Sequence, residues 1–230
     1  MKTIGLIGGM SWESSAEYYR IINETTRENL GGLHSARCIL YSVDFSEIEL
    51  LQQQDRWQEA AKRMVVAAQS LERAGADFVV LCTNTMHKLA EEIEKNLRIP
   101  FLHIADATGM NVQAAGMKKI GLLGTRFTME HDFYKTRLIE RYGLEVLIPN
   151  QEEREMIHRV IYDELCLGVI NPESRQRYIL SMDRLVQAGA EGIILGCTEI
   201  ELLVHKEDCR VPLFPTTKIH AVAAVEFALD

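Results

Sequence analysis

The sequence has no dense run of Lys or Arg, and its 25 basic residues are outnumbered by 33 acidic ones, for a formal net charge of −8. A nucleic-acid or anionic-membrane surface needs the opposite sign, so neither is expected as a partner. No stretch approaches the roughly twenty apolar residues that cross a bilayer. The five cysteines, Cys38, Cys82, Cys166, Cys197 and Cys209, are odd in number and irregularly spaced, with no CxxC and no paired Cys/His cluster. That pattern excludes a disulfide framework and a zinc site, and no metal is expected. The opening Met1-Lys2-Thr3-Ile4-Gly5-Leu6-Ile7-Gly8-Gly9 is too short and too soon broken by glycine for a signal peptide. A cytoplasmic location is expected, with small molecules and other protein chains as partners. Nucleotide signatures are missing as well, since Gly8-Gly9-Met10-Ser11 fits neither GxGxxG nor GxxxxGK[ST]. Backbone amides and Ser11 meeting a small anion at a helix start are a better use of that turn.

What is present is an ordinary globular composition, 47% hydrophobic and 25% charged over 230 residues, enough for one large or two small cores. Its most informative stretch is Ile193-Ile194-Leu195-Gly196-Cys197-Thr198-Glu199. An apolar, β-branched run closed by glycine reads as a buried parallel strand, which puts Cys197 at the strand's carboxyl end, where open α/β sheets bind ligands.

The same phrase occurs earlier. Residues 71–85 lie over residues 185–199 without a gap at an offset of 114, sharing Ala-Gly-Ala before the strand. Thr83, and not Cys82, is therefore the counterpart of Cys197. Met1-Lys2-Thr3-Ile4-Gly5-Leu6-Ile7-Gly8 likewise matches Met117-Lys118-Lys119-Ile120-Gly121-Leu122-Leu123-Gly124 at an offset of 116, and Ile99-Pro100-Phe101-Leu102 matches Val211-Pro212-Leu213-Phe214 at 112. Three matches in one order at nearly one offset indicate an internal duplication.

Strands are expected over 3–7, 37–43, 77–81, 100–104, 119–123 and 144–148, besides the one ending at Gly196. Helices are expected from the Gly8–Ser15 turn to about Asn29, from Trp57 to Ala74, over 86–95, 106–116, 152–167, 173–188 and 217–229. Asp44-Phe45-Ser46 opens a polar stretch containing Gln52, above the carboxyl edge of the sheet. Asn84 and Thr85 are good caps for a helix at 86, leaving free amides beside Thr83. His87 reads as a surface or supporting histidine, and Arg126 as a candidate anion binder for which a solvent-facing arginine is the default. The fold expected is α/β: two pseudo-symmetric three-layer domains with mostly parallel four-stranded sheets and the active site in the cleft between them. The link Met117-Lys118 is so short that helix 106–116 belongs with the second half, and the last helix then returns to the first. The domains are accordingly drawn as 1–98 plus 216–230 and 99–215.

Two duplicated units about a pseudo-two-fold axis would set Thr83 and Cys197 on opposite walls of one cleft, which suits proton transfer on both faces of one carbon. Here the sequence resembles the cofactor-independent aspartate/glutamate racemases, whose signatures are Cys-Asn-Thr after a strand in the first half and Gly-Cys-Thr-Glu in the second. Gly196-Cys197-Thr198-Glu199 matches fully, Thr83-Asn84-Thr85 matches with threonine for the first cysteine, and Gly8-Gly9-Met10 is similar too. The resemblance covers essentially the whole chain and is nearest to the bacterial L-aspartate/glutamate-specific subgroup with this Thr/Cys pair. It implies two α/β domains, a homodimer, and racemisation with no cofactor, pyridoxal phosphate included. It also implies Cys197 as acid/base on the L face, opposite Thr83.

Substrate contacts are expected from Met10, Gln52, Asn84, Thr85, Thr125, Thr198 and Glu199. A thiolate can take and return a proton if its site lowers the thiol pKa, and cap amides beside Cys197 are expected to do so. A threonine hydroxyl is a poorer base that can donate or relay a proton, which puts a symmetric two-thiol mechanism in doubt. Cys82 should point away from Thr83, behind the site. Competing readings are a racemase of other or broader specificity, such as homoserine, and a single-cysteine arylmalonate-type decarboxylase. A hydrolase with Cys197 as nucleophile and a non-catalytic amino-acid sensor also remain.

Overall fold

The computed structural model describes residues 1–230, which fold as two compact units, Met1–Ile104 with His220–Asp230, and Ala105–Ile219. Each contains a four-stranded, wholly parallel sheet. In the first the order is β2-β1-β3-β4, from β1 (Ile4–Gly8), β2 (Cys38–Ser42), β3 (Phe78–Leu81) and β4 (Phe101–Leu102). The second repeats it as β6-β5-β7-β8, from β5 (Lys119–Gly124), β6 (Glu145–Leu147), β7 (Gly192–Gly196) and β8 (Leu213–Pro215). The expected two α/β sheets are therefore present, with the duplication expressed in strand order.

The central strands are buried along their whole length, because helices cover both faces of a parallel sheet and leave no solvent side for polar alternation. In the first unit, α1 (Trp12–Leu30) and α11 (Thr216–Leu229) cover one face. There Tyr18, Ile21 and Ile22 meet Ala221, Ala224 and Val225 over Ile4, Leu6, Phe78 and Val80. The other face packs α2 (Phe45–Gln53) and α3 (Trp57–Arg73), through Ile48, Leu51, Met64, Ala67, Ala68 and Leu71, against Ile7, Val79 and Leu81. In the second unit, α8 (Gln151–Asp163) and α9 (Pro172–Gln187) pack Met156, Ile157, Val160, Tyr178, Met182 and Leu185 on Leu123, Ile193 and Leu195. Its remaining helices include α5 (Ile104–Ala114) and α7 (Asp132–Tyr142), tied by a bidentate Arg137–Asp106 pair at 2.7 and 2.6 Å.

Start signals explain several boundaries. Asn150 and Glu153 form a reciprocal capping box at α8, and Asn171 caps α9 with Pro172 at its first position. Left-handed glycines stop the chain behind two elements, Gly143 after α7 and Gly168 after the turn at Leu165–Leu167.

The structure departs from the sequence reading in identifiable places. The polar stretch after Asp44 is a helix, α2, because Asp44 accepts from the Ser46 amide and Ile48 and Leu51 supply a buried stripe. The helix drawn over 152–167 ends at Asp163 in a short 3₁₀ turn. The chain leaves the first unit after Ile104 and returns at His220, later than the crossovers drawn near residues 99 and 215. Strand pairing accounts for the first of these, because β4 completes the sheet of β3. No helix is long and apolar enough to cross a membrane.

Candidate active site

In each sheet the strand order reverses between two neighbours, β1 and β3 in the first unit and β5 and β7 in the second. Ligands of doubly wound sheets bind outside the carboxyl ends of strands at such a reversal. In the first, Ile7 pairs with Leu81 and in the second Leu123 with Leu195, so Thr83 and Cys197 each lie two residues beyond equivalent paired positions. Gly196 precedes Cys197 because β5 runs too close for a side chain: a Cβ there would sit 2.7 Å from the Leu123 carbonyl oxygen.

Around Thr83 the chain turns sharply. Its amide donates to the Leu81 carbonyl at 2.9 Å and the Asn84 carbonyl accepts from the His87 amide at 3.0 Å. The result is a 3₁₀ turn over Thr85–Leu89 followed by the short helix α4 (Ala90–Lys95), in place of the capped helix expected from residue 86. Asn84 is buried with helical backbone angles, and its side chain makes no cap bond, so the expected capping is corrected. Thr85, also buried, begins the turn. Gln52, on α2, reaches this turn, its amide donating to the Met86 sulfur at 2.9 Å. Met10 packs with Met86 in the same apolar cluster.

The end of β1 is held by the start of α1. Gly9 (φ +93) passes so close to the Val43 backbone that no side chain fits. Its amide donates to Ser15 Oγ at 2.8 Å, and Ser14 Oγ donates to the Cys82 carbonyl at 3.1 Å. Ser11 Oγ caps α1 by accepting from the Ser14 amide at 3.2 Å, so that hydroxyl serves the helix. Cys82 points the other way, fully buried in the cluster under α1 and α11, and burial pushes its thiol far up.

At the second reversal, the half-buried Cys197 donates its S–H to Glu199 Oε2 at 3.0 Å. Thr198 Oγ1 lies 3.0 Å from Thr217 Oγ1, and Thr216 Oγ1 donates to the Leu195 carbonyl at 2.8 Å. Thr125 is buried at the end of β5, where its hydroxyl caps the short helix α6 (Arg126–Glu130). Arg126 is exposed, with its amide bonded to His158.

The thiol's electrostatics overturn an expectation. Cys197 is held well above the ordinary thiol range, by burial first and then by the charge of Glu199, with Cys166 adding to it. One amide, that of Glu199, acts in the opposite direction and is outweighed. The helix that follows, α10 (Ile200–Leu203), is a single turn, too short for an appreciable dipole. At rest the group is a protonated thiol on a carboxylate, not a thiolate. No set of three or more His, Cys, Asp or Glu is placed to hold a metal ion.

The structure thus gathers Thr83, Met10, Gln52, Asn84 and Thr85 in the first unit, and Cys197, Thr198 and Glu199 in the second. Thr216, Thr217, Ser14 and His87 escaped the sequence reading as site residues. The Thr216-Thr217 pair directly after a strand was the available signal for two of them.

The fold is that of a doubly wound α/β protein, with a thiol–carboxylate pair at a strand reversal where such sheets bind small ligands. The chain belongs to the Asp/Glu/Hydantoin racemase family, whose model matches residues 7–224, and is accordingly an isomerase of the racemase type. It is similar to a candidate Asp/Glu racemase from Yersinia pestis of known crystal structure, at 55% identity and TM-score 0.94 over the whole of both chains. An aspartate racemase homologue from Pyrococcus horikoshii OT3 also matches over the whole of both chains, at 36% identity and TM-score 0.86. RacX of Bacillus subtilis, a broad specificity amino-acid racemase, is 25% identical over 170 residues, 73% of this chain and 71% of RacX.

Proposed function

We propose that the protein racemises a free amino acid, with aspartate and glutamate as first candidates, and that it does so without pyridoxal phosphate. The observation that carries this reading is the Cys197–Glu199 hydrogen bond at a position equivalent by register to Thr83. Inverting a carbon needs one group that takes the α-proton and another that delivers a proton to the opposite face. Cys197 takes the proton of the L-enantiomer after passing its own to Glu199; the Thr83 hydroxyl, directly or through water, delivers a proton to the other face and is reprotonated by solvent, while Glu199 releases its proton to solvent. Met10, Gln52, Asn84 and Thr85 of the first unit, and Thr125, Thr198 and Glu199 of the second, are the residues assigned to substrate binding. The breadth of RacX supports testing homoserine and other polar side chains alongside the acidic ones.

The test is L-aspartate, L-glutamate and L-homoserine in D2O, followed by NMR and chiral chromatography. Loss of the α-proton with appearance of the D-enantiomer is expected. Release of CO2 from an arylmalonate, or hydrolysis, without α-exchange on any amino acid would replace this reading with a decarboxylase or a hydrolase.

The reading also sets an asymmetry. The equilibrium constant between enantiomers is one, so kcat/KM must be equal in the two directions and any difference appears as a larger kcat with a larger KM for the L-form. Thr83→Cys, which installs a thiol where a hydroxyl stood, should raise kcat for the D-form by up to about a hundredfold, the low end for a positioned proton-transfer group. Initial rates with each enantiomer check this, and unchanged kcat for the D-form counts against Thr83 as the limiting group.

A further inference from the structure

His87 is 2% exposed, inside the first unit, one turn beyond Thr83. Its two ring nitrogens make different bonds. Nε2 faces the Ile104 amide at 3.1 Å, and because an amide only donates, that nitrogen is the acceptor. Nδ1 therefore carries the proton and donates to the Thr83 carbonyl at 2.7 Å. The ring is packed among Phe101, His103 and His220, with centroids 5.5, 4.5 and 5.8 Å away. His220 is itself fixed: Nε2 donates to the Leu102 carbonyl and Nδ1 accepts from the Tyr18 hydroxyl, both at 2.9 Å. Three buried imidazoles thus form a contiguous wall under the turn at the end of β3, and His87 reaches the turn's backbone at Thr83.

We propose that His87 is a positioning residue for the proton-transfer step at Thr83: as the neutral Nδ1–H tautomer it fixes the Thr83 peptide against the end of β4, and so sets where the Thr83 hydroxyl points. This rests on the role given to Thr83 under the proposed function. The lever is short, because the carbonyl His87 holds is bonded to the Cα whose Cβ carries the hydroxyl. A misplacement of about 1 Å at a reacting group costs on the order of a hundredfold in rate.

A residue that merely filled the core would slow every step alike, whereas one that aims Thr83 slows only the face Thr83 serves. With an L-substrate in D2O, Cys197 can remove the α-proton and return a deuteron to the same face, which yields deuterated L-amino acid, while D-product needs Thr83. The ratio of L-exchange to racemisation separates the two roles. In His87→Phe, racemisation should fall by about ten- to a hundredfold while L-exchange falls by no more than a few-fold, so that the ratio rises at least about tenfold. His87→Asn, which keeps an N–H donor at the place of Nδ1, should restore most of the wild-type ratio. Exchange and racemisation falling in step in His87→Phe, or no recovery in His87→Asn, overturns the proposal. Wild-type protein that neither exchanges nor racemises any amino acid instead overturns the proposed function, and this inference with it. If His87→Phe does not fold, ¹⁵N NMR of the wild-type imidazole decides: Nδ1 protonated and Nε2 bare is expected, and the opposite tautomer or a doubly protonated ring at neutral pH overturns it.

Discussion

Cys197→Ser lowers turnover with either enantiomer by about two to four orders of magnitude, the range for loss of a positioned acid/base. Serine nearly keeps the size and the hydrogen bond to Glu199 Oε2, now from a hydroxyl, so the variant should fold and bind substrate while losing a thiol that gives up its proton to Glu199 far more readily than a hydroxyl can. The loss belongs in kcat and kcat/KM together, because the removed interaction is made in proton transfer and not in ground-state binding. Cys82→Ala is the control. That thiol is fully buried behind the site and burial disfavours its ionisation, so its removal should cost some stability by leaving a small cavity, with turnover changed by no more than about a few-fold. Steady-state racemisation of aspartate or glutamate by both variants is the measurement. A normal rate in Cys197→Ser with a large loss in Cys82→Ala would mean that the equivalence of Thr83 and Cys197 does not describe the chemistry.

That equivalence was legible in the sequence because the duplication is nearly gap-free at the strand ends that matter. The strand registers then pair Ile7 with Leu81 and Leu123 with Leu195, as an offset of 114 to 116 residues requires. Parallel strands buried on both faces leave an apolar run, closed by glycine in β1, β5 and β7 and by Cys82 in β3, which is why these four could be read. Some short helical elements could not. Phe45–Gln53 is a helix whose buried stripe is two side chains, Ile48 and Leu51, and whose start depends on the Asp44 side chain turning inward. Asn84 has the right chemistry for a cap and does not act as one, because the turn tightens to an Asn84–His87 backbone bond within three residues. His87 could not be ranked above a surface histidine, since both its partners, the Thr83 carbonyl and the Ile104 amide, are backbone atoms with no signature in sequence. The protonation state of Cys197 was hidden for a related reason. A glutamate two residues along is visible, but whether its carboxylate turns back onto the sulfur is a matter of packing.

The Cys197–Glu199 pair gives the second large effect, and it moves two observables in opposite directions. Burial and the Glu199 charge both raise the thiol, so the wild type should alkylate slowly with iodoacetamide at pH 7, and its rate should keep climbing with pH past about 8.5, where a free thiol is half ionised. Glu199→Gln removes the negative charge but leaves burial in place. The thiol pKa therefore falls without reaching the free value, and alkylation of Cys197 at neutral pH accelerates, since a lower thiol pKa gives more thiolate at a fixed pH. If Glu199 served only as a charge, the easier thiolate would make the variant a better catalyst for the L-enantiomer at neutral pH. As the acceptor of the thiol proton it leaves no substitute, because a glutamine side chain takes up no proton, and turnover with the L-form should fall by about a hundredfold. The alkaline limb needs one precaution. Cys82, Cys197, Tyr134 and Tyr178 all hold their protons more firmly in the folded chain, so stability from these groups is fully present below their unfolded pKa values and is lost as pH rises from about 8.5. Alkylation and turnover are for that reason compared between pH 6 and about 9, with site occupancy at Cys197 read by mass spectrometry. Faster alkylation with slower racemisation supports the proton-acceptor role; faster alkylation with faster racemisation reduces Glu199 to an electrostatic brake, and unchanged alkylation would show that the carboxylate does not control the thiol at all.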